Sequence, residues 1–170
     1  MTATYELIAS NTLGSSAASV TFSSIPATYT DLVLRYSAKH TGGSQQYIYI
    51  TLNNNTSSVY SDTSLSGNGS SASSSRDSSS APTAIYGLLL GGTGDDGFNS
   101  GEIYFPSYTA NQNKPFSVFN VTEDNATASQ INAVAFLFSS TSAISEIKFQ
   151  PGANNLETGS SFFLYGIKNS

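Results

Sequence analysis

Apolar and polar residues alternate with a period of two along most of this chain. In Asp31–Lys39, Leu32, Leu34, Tyr36 and Ala38 share one face, while Asp31, Arg35, Ser37 and Lys39 share the other; Val33 is the one exception. In Gln46–Leu52, Ile48, Ile50 and Leu52 oppose Tyr47, Tyr49 and Thr51. Val20 and Phe22 alternate with Ser19, Thr21 and Ser23, and Ile147 and Phe149 alternate with Glu146, Lys148 and Gln150. Each pattern is that of a strand with one face in a core and one in water. Further strands are predicted at Thr4–Ala9, Ala84–Leu90, Gly101–Pro106, Phe116–Thr122, Ile131–Ser139 and Ser161–Ile167. The breaks between them carry turn residues, among them Thr41-Gly42-Gly43, Asn53-Asn54-Asn55, Asp95-Asp96-Gly97 and Pro151-Gly152-Ala153-Asn154-Asn155.

About ten short strands at this spacing predict an all-β fold, an antiparallel two-sheet sandwich of jelly-roll type. One domain covering residues 1–170 is expected. Only Ala126–Ala135 has an acceptable helical spacing, and Phe136-Leu137-Phe138 continues it into a β-like run, which favours strand from Ile131 onward. In Ser57–Ser80, 13 of 24 residues are Ser. This stretch reads as an ordered long loop within the domain, lying over the sheet or against a neighbouring subunit. Ser16–Phe22 weakly echoes Ser142–Phe149, a similarity expected by chance in a Ser-rich chain.

Composition agrees with the pattern. The chain has 32 Ser, 17 Thr and 14 Asn among 170 residues, with ten Tyr and ten Phe, and only 10% charged residues. Such a chain suits sheets and tight turns and lacks the residues that fill helices. The net charge is −5, and the four Lys and two Arg are scattered, so no nucleic-acid footprint is present. No apolar run approaches the roughly 20 residues of a membrane span. The opening Met1-Thr2-Ala3-Thr4-Tyr5-Glu6 has no basic stretch leading into an apolar one, so synthesis in a cytoplasm is expected.

Candidate chemistry is sparse. Cysteine is absent and His40 is the one histidine, placed at a strand end beside Gly42-Gly43 and expected to be an inert surface residue. No Gly-x-Ser-x-Gly elbow exists, so no serine nucleophile is set up. Asp95, Asp96 and Glu102 gather with Asn99 in a Gly-rich stretch of the kind calcium favours, but their spacing is not that of an EF-hand. An Asp-Gly hairpin turn explains the same residues. Tyr47 and Tyr49 fall on one strand face, where they either pack or offer a sugar platform. Five Asn stand in N-x-Ser/Thr sequons (Asn54, Asn55, Asn68, Asn120 and Asn125), as frequent Asn, Ser and Thr produce by chance. The expectation is a protein that is not an enzyme, with no catalytic, cofactor or metal site and no cofactor.

Two strands stand out as apolar on both faces. Ala133, Ala135 and Leu137 face away from Val134, Phe136 and Phe138, and Phe163, Tyr165 and Ile167 face away from Phe162 and Leu164. Such strands are expected to be central and covered on both sides, the outer cover being a loop or a second copy of the protein.

A family resemblance adds to this reading. The residues are Tyr5-Glu6-Leu7-Ile8-Ala9-Ser10-Asn11-Thr12-Leu13-Gly14, Val20–Leu32 with Ile25-Pro26-Ala27-Thr28-Tyr29, Leu65-Ser66-Gly67-Asn68-Gly69-Ser70, and Gly159–Lys168 with Phe162-Phe163-Leu164-Tyr165-Gly166. Together they resemble small virion structural proteins of tailed bacteriophages, common in aquatic and cyanobacterial phages. The resemblance implies no active site. It implies a capsid-decoration (cement) protein that bridges major capsid protein subunits on the head exterior, self-associates as a homotrimer, and contacts neither nucleic acid nor membrane. The alternative within the same resemblance is a tail or fibre adhesin that binds a host-surface glycan. The lack of an N-terminal coiled coil or shaft favours the capsid.

Overall fold

The alternation folds as two facing antiparallel sheets. A computed structural model describes residues 4–43, 46–81, 89–90, 97–123 and 129–168. In chain order the strands are β1 (Tyr5–Thr12), β2 (Val20–Phe22), β3 (Asp31–Ala38), β4 (Gln46–Leu52), β5 (Tyr60–Gly67), β6 (Ala72–Ser80), β7 (Leu89–Leu90), β8 (Asn99–Phe105), β9 (Lys114–Thr122), β10 (Gln130–Phe138), β11 (Ile147–Pro151) and β12 (Ser161–Ile167). The larger sheet runs β1-β12-β3-β8-β9-β10-β5-β6, and the smaller runs β2-β11-β4-β7. The chain crosses between the sheets at β2–β3, β3–β4 and β4–β5, as a jelly-roll-like sandwich requires. No helix occurs among the described residues.

Side chains predicted to face inward do so. Leu32, Leu34, Tyr36 and Ala38 of β3 meet Ile48, Ile50 and Leu52 of β4 and Ile147 and Phe149 of β11 in one buried cluster. Tyr36 lies 4.8 Å from Phe149 and 6.3 Å from Phe162, ring centre to ring centre, and Phe116 bridges Phe105 and Phe136 at 4.9 Å each. Burying rings of this size contributes roughly 1.5–3 kcal/mol apiece, so the aromatic residues dominate the core. The Ser16–Phe22 and Ser142–Phe149 segments that echo each other become the antiparallel neighbours β2 and β11.

The Ser-rich stretch is not a loop. Residues 60–67 and 72–80 are β5 and β6, a hairpin that ends the larger sheet. Serine hydroxyls pair across it, Ser64 with Ser75 at 2.6 Å and Ser66 with Ser73 at 2.8 Å. At the turn the Asn68 side-chain oxygen accepts the Ser70 and Ser71 amides, and Gly69 takes φ +81°. The small hydroxyl residues fit a pleated ladder because cross-strand hydrogen bonds replace the apolar contacts they cannot make. Of the predicted Ala84–Leu90 strand, only Leu89–Leu90 falls among the described residues, as β7 beside β4. The predicted Ile131–Ser139 strand runs from Gln130 to Phe138, and Ala126–Ala128 lie outside the described residues.

Candidate interaction surface

The residues flagged for chemistry do not converge. His40 is fully buried rather than exposed, since its backbone bridges Leu156 and its ring fills the space beside Gly42. Its Nδ1 accepts the Gly42 amide at 2.9 Å. Asp95 and Asp96 lie outside the described residues. Glu102 sits on β8 and accepts from Arg35 Nε at 2.7 Å. Among the described residues no three His, Asp or Glu side chains gather as a metal site. Asn120 is completely buried, so that sequon belongs to the interior; Asn125 lies outside the described residues. Tyr47 and Tyr49 face away from the core on β4, and the Tyr49 ring rests against Gly152.

What the fold does assemble is a surface on the outer face of the larger sheet. On one half, neighbouring side chains close over β3, while Tyr5 and Leu7 on the edge strand β1 stay 49% and 52% exposed. Val33, the exception to the β3 alternation, points outward yet is only 1% exposed. Its cross-strand partners are Tyr165 and Tyr104. The Arg35 guanidinium lies 5.8 Å from the Tyr5 ring and 6.0 Å from the Tyr165 ring, held by Glu102. Glu102 raises the pKa of the Arg35 guanidinium, so this cover stays charged.

The other half is bare. Phe119, Ala133 and Leu65 form one row across β9, β10 and β5. Phe119 is 51% exposed, Leu65 58% and Ile131 49%. Ala133 and Ala135 floor a shallow apolar groove between them. No described layer covers this groove, and a solvated apolar strip of this kind marks an interaction site. Within this one chain, neither strand expected to be covered on both sides carries a complete outer cover. The outer residues of β12, Phe163 and Tyr165, stay half-buried one place from the sheet edge, and Ala133 and Ala135 of β10 are exposed.

Two buried charged features lie elsewhere. Lys114, 1% exposed, points its ammonium into backbone carbonyls of two loops: Ala110 at 2.5 Å, Gln112, Ser140 at 3.4 Å and Thr141 at 3.3 Å. Burial lowers its pKa. Asp62 on β5 stands directly opposite Asp77 on β6, with Asp62 only 5% exposed. Burial, then the Asp77 charge, pushes the Asp62 carboxyl up to about 6. Sequence reading marked the groove floor through Ala133 and Ala135. It missed Phe119, which follows the apolar Val118, and Leu65, which stands between Ser64 and Ser66, and both buried charges, which carry no local signature. No family model matches the chain, and no curated protein matches it.

Proposed function

We propose that this chain is a structural protein of a bacteriophage virion, a capsid-decoration (cement) protein that bridges and stabilises major capsid protein subunits on the head exterior. The single observation that carries the reading is the bare apolar groove of Phe119, Leu65, Ile131, Ala133 and Ala135 on the outer face of the larger sheet. The family resemblance supplies the virion and the homotrimer. A cement protein works by spanning neighbouring subunits, so that removing one subunit must break contacts with several. A low-charge β-sandwich suits this task, because shape and apolar patches then carry the binding rather than charge steering. The protein is not an enzyme in this reading, which rests on a sequence with one His, no Cys and no Gly-x-Ser-x-Gly elbow.

Labelling of virions with an antibody to the chain tests the location. Many copies over the head are expected; label confined to the tail, together with competable binding on a glycan array, would replace this reading with the adhesin. The surface itself is tested by Phe119→Lys. Because Phe119 is half exposed, its replacement shifts stability by no more than about 0.5 kcal/mol. Self-association in sedimentation, or capture by empty heads, is expected to be lost. Unchanged association and capture would remove the groove from the interface.

A further inference from the structure

We propose that Asp62 and Asp77 form a proton-dependent latch on the β5–β6 hairpin: a proton on Asp62, donated to Asp77, ties the edge strand down, and its loss sets two carboxylates against each other. The geometry comes first. The two residues are directly paired across the hairpin, and the pairing is irregular just beside them, between Tyr60 and Asp62. Ser79, in this irregularity, takes φ +54°. Asp62 Oδ1 and Asp77 Oδ2 are buried and accept from no donor. A protonated Asp62 supplies the donor that both oxygens lack, whereas two ionised carboxylates at cross-strand distance repel.

Neighbouring groups offer no relief. On β10 the residue opposite Asp62 is Phe136, with Val134 next along the same face. On β5 the inward neighbours are Ser64 and Tyr60, and the Tyr60 hydroxyl is engaged with the Leu52 and Asn55 backbones. Arg76 belongs to the other face of β6, opposite Thr63. Only burial and the Asp77 charge act on the Asp62 carboxyl. Asp77 is therefore the one charge that faces Asp62 among the described residues.

The direction follows from linkage. The folded Asp62 carboxyl titrates at about 6, against an ordinary value of 3.8. The folded state then binds the proton more tightly than the unfolded state does. Its stabilisation is present at low pH and is lost as pH rises from about 4 through about 6. The full span corresponds to at most about a hundredfold change in the hairpin's opening equilibrium.

Amide hydrogen exchange of the whole protein, compared at pH 5 and pH 8 after correction for intrinsic exchange, tests the latch. Peptides covering residues 60–80 are expected to exchange about tenfold faster at pH 8, while β3 and β12 peptides stay unchanged. Asp62→Asn, which carries its own donor, is expected to protect the hairpin equally at both pH values. A pH-independent hairpin in the native protein would overturn the proposal, as would a pH step that survives in Asp62→Asn or spreads over the whole chain. Restored protection on adding millimolar calcium at pH 8 would also overturn it, because the pair would then hold a cation rather than a proton.

Discussion

Lys114→Met is expected to lower the unfolding free energy by roughly 3–5 kcal/mol. The side chain is 1% exposed and its ammonium has no carboxylate partner among the described residues. Its partners are carbonyls from two connections, Ala110 and Gln112 between β8 and β9 and Ser140 and Thr141 between β10 and β11. Met fills nearly the same volume, so little cavity forms and the loss is polar. The Ala110 carbonyl keeps the Gln112 amide at 2.8 Å as its donor. The loss falls on the Gln112, Ser140 and Thr141 carbonyls, and a carbonyl left unmet in a closed site costs about 1–3 kcal/mol. The same connections are tied by the Ile144 amide on the Tyr108 carbonyl at 3.0 Å and by the Tyr108 hydroxyl on the Pro26 carbonyl. Loosening one loop therefore loosens its neighbour. Urea denaturation measures the loss, and hydrogen exchange in residues 107–113 and 140–145 locates it. Lys168→Met is the control: Lys168 pairs with Glu6 at 2.9 Å, but both side chains are about half exposed and screened by water. If the two substitutions cost the same, the carbonyl cage contributes nothing.

The sequence-legible part of this molecule is the part that apolar alternation writes. Strands β3, β4, β11 and β12 could be read because large apolar residues recur at every second position over a buried face. The β5–β6 hairpin could not, because Ser fills both faces and the period disappears. Its surviving signal was the turn, Gly67-Asn68-Gly69, between two runs of strand length. Val33 looked like an error in the β3 pattern; it is the spot where flanking Tyr165 and Tyr104 close over the sheet from the side. His40 looked like a surface residue because a glycine turn follows it, yet that turn folds back and donates its amide to the ring. The candidate surface was half visible. Ala133 and Ala135 stood out as apolar on the wrong face, but their wall residues lie on other strands, and only register brings Phe119 and Leu65 alongside. Lys114 was invisible for a different reason: its partners are main-chain oxygens, which every residue carries.

Gly101→Ala carries the second large expected loss, about 3 kcal/mol. Gly101 on β8 lies directly opposite Tyr36 on β3, and the Tyr36 ring crosses the space that a Cβ at position 101 would occupy. That ring cannot move aside. It is 4% exposed and wedged against Phe149 and Phe162. Its hydroxyl extends toward Asn120, the next residue in the same row; burial raises the hydroxyl pKa well above the usual tyrosine value, and Asn120 opposes the rise. Gly14 supplies the comparison. A Cβ there would meet no other atom within 4 Å. Replacing a glycine by alanine also removes freedom from the unfolded chain, worth about 0.4–1 kcal/mol in favour of folding. For Gly14→Ala that gain outweighs any steric cost, and a small net change is expected. For Gly101→Ala it does not. Making room from the other side separates sterics from backbone effects: in Tyr36→Leu the ring is gone, so adding Gly101→Ala should cost at least about 1 kcal/mol less than it does alone. Equal effects at Gly101 and Gly14, or strict additivity of Gly101→Ala with Tyr36→Leu, would show that the ring does not enforce glycine at this position.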